Sequence, residues 1–126
     1  MVHTEIDLQR RLVVHTLTGK LTLNAGLEDE LKAYDQSGYE PGFGIVWDLR
    51  GGETMITLHD MANLDSNIFK HINENRVGGR TAWVISSTFE ESMVKLLYSE
   101  HDWSAKLQTF STLEAATRWV TATTDD

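Results

Sequence analysis

The feature that most constrains this chain is the regular exchange of short apolar runs for segments with helical spacing. Ile6, Leu8, Leu12, Val14 and Thr16 alternate with other residues, which predicts strands over Thr4–Gln9 and Arg11–Thr18. The link near Arg10 is so short that the two must form an antiparallel hairpin. Leu12, Val13 and Val14 are apolar at consecutive positions, so the second strand should be covered on both faces. Gly19 to Thr22 leads into a helix over Leu23–Gln36, with Leu27, Leu31 and Tyr34 on one stripe and Thr22 or Asn24 as the cap. Ser37-Gly38 ends that helix, and the turn after it carries the chain's one proline, Pro41.

The second half repeats the exchange. Gly44–Leu49 reads as a central strand, followed by a flexible connection over Gly51 to Thr54. Thr57 and Asp60 have capping-box spacing, which predicts a second helix over Leu58–Asn75. Thr81–Ile85 is the next strand, and Thr88 with Glu91 boxes a third helix ending near Asp102. Lys106–Phe110 is a short final strand, Ser111 with Glu114 starts a last helix, and Thr121–Asp126 should fray. The order ββαβαβαβα predicts a mixed, mainly parallel five-stranded sheet with right-handed crossovers and about four helices. A length of 126 residues suits a single α/β domain over 1–126.

Charge and composition narrow the partners. A net charge of -8 disfavours a nucleic-acid partner and anionic membrane surfaces. The absence of cysteine removes disulfides and thiol chemistry. No run approaches ~18 apolar residues, so no transmembrane segment is expected. Met1 to Glu5 lacks the basic and apolar regions of a signal peptide, and the chain reads as cytoplasmic. No Gly-rich phosphate loop or nucleophile elbow occurs, so no cofactor is expected. The five histidines (His3, His15, His59, His71, His101) form no ligand pair at metal-site spacing, and no metal is expected.

Candidate site residues come from the second and third helices. On a continuous helix at about 100° per residue, Leu58, Met61, Ala62, Leu64, Ile68, Phe69 and Ile72 share one arc, with Asp65 projecting into its middle. A carboxylate there must find hydrogen bonds or serve as the polar anchor of an apolar pocket. The third helix is apolar over a wide arc through Phe89, Met93, Val94, Leu96, Leu97 and Tyr98. Such a face serves the core, a ligand or a second copy of the chain. Met61, Asp65, Phe69, Met93 and Leu97 are therefore the candidate ligand- or partner-binding residues. Strand ends in open parallel sheets are the usual place for chemistry. There Asp48, Arg50, Thr57 and His59 form a candidate crevice, with an Asp48–Arg50 salt bridge as the simplest arrangement. Trp47, Trp83 and Trp119 are expected in the core, and Trp103 is expected to be partly exposed.

Four segments together resemble the SpoIIAA-like proteins, small STAS-type domains related to antagonists of anti-sigma factors. They are Leu12-Val13-Val14 through Gly19-Lys20-Leu21-Thr22, Val46-Trp47-Asp48-Leu49-Arg50, Arg80-Thr81-Ala82-Trp83-Val84, and Phe110 with Leu113-Glu114-Ala115-Ala116. The resemblance implies a STAS fold and a non-enzymatic binding or regulatory module. Its occupant would be an apolar or lipid-like small molecule, or a protein partner, between the second and third helices. It also implies an alternative, a phosphorylation-controlled antagonist. The phosphorylated relatives carry an Asp-Ser-x-Gly-like turn before the second helix, whereas this chain has Met55-Ile56-Thr57-Leu58-His59-Asp60. Thr57 is thus the candidate phosphosite. From the residues alone, two further alternatives stand: a small enzyme using Asp48, Arg50, Thr57 and His59, and a homodimer packed through the third helix.

Overall fold

The computed structural model describes residues 1–122. The hairpin pairs β1 (Val2–Asp7) with β2 (Leu12–Leu17) in antiparallel register, Val2 opposite Leu17 and Asp7 opposite Leu12. Its turn is closed by the Asp7 carboxylate, which accepts from the Arg10 amide at 3.1 Å, and by Arg11, which sits at a φ of 53°. A short strand, β3 (Gly19–Leu21), precedes α1 (Leu23–Tyr34), which Thr22 caps by accepting from the Ala25 amide. Next come β4 (Gly44–Asp48) and β5 (Gly52–Thr54). They are followed by α2 (Leu58–Ala62), α3 (Ser66–Arg76) and β6 (Arg80–Val84). The described chain closes with α4 (Thr88–Glu100), β7 (Lys106–Phe110) and α5 (Leu113–Val120).

The main sheet runs β1-β2-β4-β6-β7, and every pairing except the hairpin is parallel. It is the expected mixed, mainly parallel five-stranded sheet, with five helices rather than about four. The extra helix arises because the predicted helix over Leu58–Asn75 breaks at Asn63 to Asp65. Asn63 ends α2 with its amide on the His59 carbonyl, and Asp65 restarts the chain as the cap of α3, accepting from the Asn67 and Ile68 amides at 2.9 and 3.1 Å. A capping carboxylate satisfies the donors of a new first turn, so it favours a fresh start over a continuous helix. The lead-in at Gly19 to Thr22 and the flexible connection expected over Gly51 to Thr54 instead pair as a two-stranded parallel ribbon, β3 with β5. Gly52 permits this approach, because a Cβ there would lie 2.4 Å from the Gly19 carbonyl oxygen.

Two caps also differ from expectation by one residue. α4 is capped by Ser87, which accepts from Glu90, and α5 by Thr112, which accepts from Ala115. Within the predicted tail, Thr121 is tied down, its hydroxyl donating to the Thr117 carbonyl at 2.7 Å. Residues 123–126 of that tail lie outside the described residues.

The faces of the sheet are unequal. Leu12, Val46, Ala82 and Val84 pack beneath α5 through Ala116 and Val120. Gly44 lets α5 approach, since a Cβ there would lie 2.9 Å from the Val120 carbonyl oxygen. The opposite face carries Val13, Leu17, Ile45 and Trp47 under α1 and α3. Among the described residues, no helix is long and apolar enough to cross a membrane.

Candidate functional site

The covered face has a row of rings laid across adjacent strands. His15 is opposite Trp47 in the β2–β4 register, and Trp47 is opposite Trp83 in the β4–β6 register. Parallel register puts the three side chains on one face, where Trp47 stacks on His15 at 4.1 Å between centroids and on Trp83 at 5.8 Å. Thr4 extends the row on β1, its hydroxyl 2.8 Å from His15 Nδ1. His15 is wholly buried. Burial lowers its pKa to about 4, a shift opposed by Glu30 and aided by Arg76, so the ring is neutral at pH 7.

Above this row lies a buried ion pair. Glu30 of α1 accepts from Trp47 Nε1 at 3.0 Å and from the Arg76 guanidinium of α3. Both side chains are only 4% exposed. Burial alone would push the Glu30 carboxyl up, but the Arg76 charge, reinforced by the Trp47 hydrogen bond, holds it below the ordinary range. Burial would likewise pull Arg76 down, and Glu30 outweighs it. The guanidinium also sits 5.2 Å from the centre of the Trp103 ring, a cation–π contact. Trp103 is held in turn by donation from its Nε1 to the Leu97 carbonyl at 3.1 Å.

Around the pair opens an apolar crevice. One lobe, with a cavity volume of about 60 Å³, is bounded by α1 (Leu23, Gly26, Leu27, Glu30), by Ile72 and Arg76 of α3, by Trp47 and Trp83 on the sheet, and by Leu97 and Trp103. A second lobe of about 40 Å³ shares Leu21, Leu23, Ile56, Trp83 and Leu97, and continues to Met61, Met93, Val94 and the buried Glu90. Glu90 accepts from the Ser86 amide and hydroxyl, so its charge is occupied by the start of α4. The walls are almost entirely hydrocarbon and indole, the usual lining of a small-molecule site.

The predicted site residues divide. Leu97 lines both lobes, and Met61 and Met93 line the second. Phe69 stands behind the wall, packed on His101 and Trp103 with centroids 5.0 Å away in each case. Asp65 does not project into an apolar arc. The helix break turns it outward, where it is exposed and occupied in capping. At the strand ends, Arg50 grips Asp48 through Nε at 3.0 Å and a terminal nitrogen at 2.9 Å, and this hydrogen bonding holds the Asp48 carboxyl below its ordinary range. Thr57 is exposed in the expected capping box with Asp60. His59 is exposed beside Asn63, its Nδ1 3.2 Å from the amide nitrogen. Among the described residues no hydrogen bond or ion pair joins the Asp48–Arg50 pair to Thr57 or His59.

Four residues central to the crevice were not singled out as site residues from the sequence: Glu30, Arg76, Trp83 and Trp103. For two of them a signal exists. Glu30 lies three residues after Leu27 and four before Tyr34, and Arg76 lies four after Ile72. Each is therefore a lone charge on an apolar helical stripe, and the two have opposite sign.

No protein-family model matches the sequence, and no curated protein matches it. Solved structures do match the fold. An uncharacterized protein of the DUF3478 family with a SpoIIAA-like fold, from Shewanella loihica PV-4, superposes with a TM-score of 0.63 at 14% identity over 95% of this chain and 92% of that one. The anti-sigma factor antagonist SpoIIAA in its unphosphorylated form superposes with a TM-score of 0.55 at 19% identity, over 95% of this chain and 97% of the other.

Proposed function

From this SpoIIAA-like fold, we propose that the chain is a non-enzymatic binding module that holds an apolar or amphipathic small molecule in the crevice between α1, α3 and α4. The carrying observation is the composition of that crevice. Indole and aliphatic side chains surround a single buried ion pair, and the ion pair is neutralised internally by Glu30 and Arg76. A site built for chemistry needs a group free to take or give a proton near the working pH. Here His15 titrates near 4, and Glu30 and Arg76 are held charged by each other. A site built for binding needs apolar surface with a few fixed polar groups, which this crevice supplies.

The test is a solvatochromic neutral dye, Nile red, titrated against the purified chain and a crevice-filling variant. Gly26 lines the crevice, with Leu21 and Trp47 atoms 3.5 and 3.8 Å from where its Cβ would stand. Gly26→Leu extends a side chain into the space. The expected result is a blue-shifted emission with the wild type that is lost in Gly26→Leu while cooperative unfolding is kept. Absence of the shift in the wild type, or an equal shift in the variant, overturns the reading.

A second reading, a phosphorylation-controlled protein partner, is supported by the exposed Thr57 hydroxyl at the start of α2 and by the fold shared with an anti-sigma factor antagonist. Phosphate on Thr57 would face the Asp60 carboxylate and break the capping box. Mass spectrometry of the chain isolated from its own cells tests this, and unmodified Thr57 under all growth conditions counts against it.

A further inference from the structure

Strand β1 is one edge of the main sheet, and among the described residues no strand pairs with its outer side. The direction of its backbone groups follows from the hairpin. Met1 and Thr18 exchange both amide–carbonyl bonds between the strands. Antiparallel ladders alternate, so His3, Glu5 and Asp7 also turn their N–H and C=O groups towards β2. Val2, Thr4 and Ile6 turn theirs outward. A free edge of this kind is a template for another strand, and proteins commonly blunt it with proline, lysine or a bulge. Val2–Asp7 contains neither residue, and its register with β2 runs without a break. The opposite edge, β7, carries Lys106 and is flanked by α4 and α5.

The flank of β1 is open as well. Val2, Thr4 and Ile6 border a cavity of about 350 Å³ whose other wall is Asp29, Lys32, Ala33 and Gln36 of α1. On the other face His3 and Glu5 are exposed, because α5 packs over β4, β6 and β7.

The residues of this edge are complementary to themselves. Residues with outward backbone groups must face each other across a new ladder, so an antiparallel second copy has few registers. Centring on Thr4 sets Val2 opposite Ile6 of the second copy on the α1 face, and His3 opposite Glu5 of the second copy on the other. The latter positions are non-hydrogen-bonded, where facing side chains come closest. An imidazole donor then meets a carboxylate acceptor, and the twofold axis makes the pair twice. A shift of two residues either way sets His3 against His3 or Glu5 against Glu5.

We infer that two copies of this chain associate antiparallel through β1, centred on Thr4, and join their five-stranded sheets into one. This surface is separate from the crevice and from the exposed Phe89 of α4.

The experiment is sedimentation equilibrium of the full chain at ~0.15 M salt, where repulsion between copies of net charge -8 is screened beyond about 8 Å. The mass should rise with concentration from 14.3 kDa to twice that value. Hydrogen exchange read by NMR should show the Thr4 and Ile6 amides gaining protection as the dimer forms, with the His3 and Glu5 amides little changed. His3→Glu sets two carboxylates opposite each other, twice over, and should weaken association about tenfold. Adding Glu5→Lys restores opposite charges and should return the affinity to near that of the wild type. The two side chains are 72% and 77% exposed, and urea unfolding checks that the variants keep the fold. Phe89→Asp should leave association unchanged. A mass of 14.3 kDa at every concentration overturns the inference. So does a dimer that His3→Glu leaves intact, or one without added protection at Thr4 and Ile6. A dimer that Phe89→Asp dissolves overturns it too, and assigns the contact to α4.

Discussion

Glu30 and Arg76 show how much a buried charge depends on its partner. Each would be expelled from the core alone, and together they are retained with Trp47 Nε1 as a third contact. Arg76→Met should therefore destabilise by about 3–5 kcal/mol, because it strands the Glu30 carboxylate. Adding Glu30→Leu should recover most of that loss. Urea unfolding of the wild type, single and double variants measures both, and equal stability of the single and double variants would refute the argument. His15 acts at the same scale. Between its folded pKa of about 4 and its ordinary 6.5, the unfolded chain binds a proton that the folded chain does not. Stability is therefore full above pH 6.5 and falls as the pH drops towards 4. At about 1.4 kcal/mol per pH unit, the loss approaches roughly 3 kcal/mol. His15→Gln should flatten this slope, as read from urea midpoints at pH 7 and pH 4.5. Glu30 has the opposite history, since its folded pKa is depressed. Its contribution is present above its ordinary value and fades only below that.

At the scale of elements, the break between α2 and α3 decides which residues reach the crevice. A continuous helix would have aimed Asp65 at the core, whereas the cap turns it to water and leaves Met61 and Ile72 pointing inward. Asp65→Ala should cost about 1 kcal/mol of stability and leave Nile red binding unchanged, because the residue is outside both lobes. A parallel loss of dye binding would show that the cap also shapes the cavity. Gly26 makes the complementary case on α1. Its Cβ position has only ordinary van der Waals neighbours, so Gly26→Ala should gain about 0.5–1 kcal/mol from helix propensity. Thermal melts of this variant check that the loss of dye binding in Gly26→Leu comes from filling the space and not from the helix backbone.

Across the whole molecule, the two faces of the sheet divide the work. α5 closes one face against Val46, Ala82 and Val84 with tight backbone approach at Gly44. The other face is closed by α1, α3 and α4 around the crevice, and any ligand must move these helices relative to the sheet. Hydrogen exchange should therefore show protection on saturation with Nile red over α1, α3 and α4, with β2, β4 and α5 unchanged. Uniform protection across the sheet would mean that binding reports global stability and not the crevice. The apolar stripe predicted on α4 is likewise shared out. Val94 is buried and Leu97 lines both lobes, while Phe89 stands 68% exposed at the helix start.

The five strands of the main sheet, the antiparallel hairpin and the Thr57–Asp60 box were readable from the residues, because periodicity and capping act within a few positions of the chain. So were Leu97, Met61 and Met93 as residues of an apolar surface. The Glu30–Arg76 pair spans 46 residues, and the ring row of His15, Trp47 and Trp83 spans three strands. Neither could be assembled from local spacing, since parallel register and helix docking alone bring those groups within reach. The opposite-sign charges on two apolar stripes were visible, but that they meet was decided only when the helices packed on the sheet. Electrostatic pairing and desolvation depend on separation in space, which only tertiary packing sets.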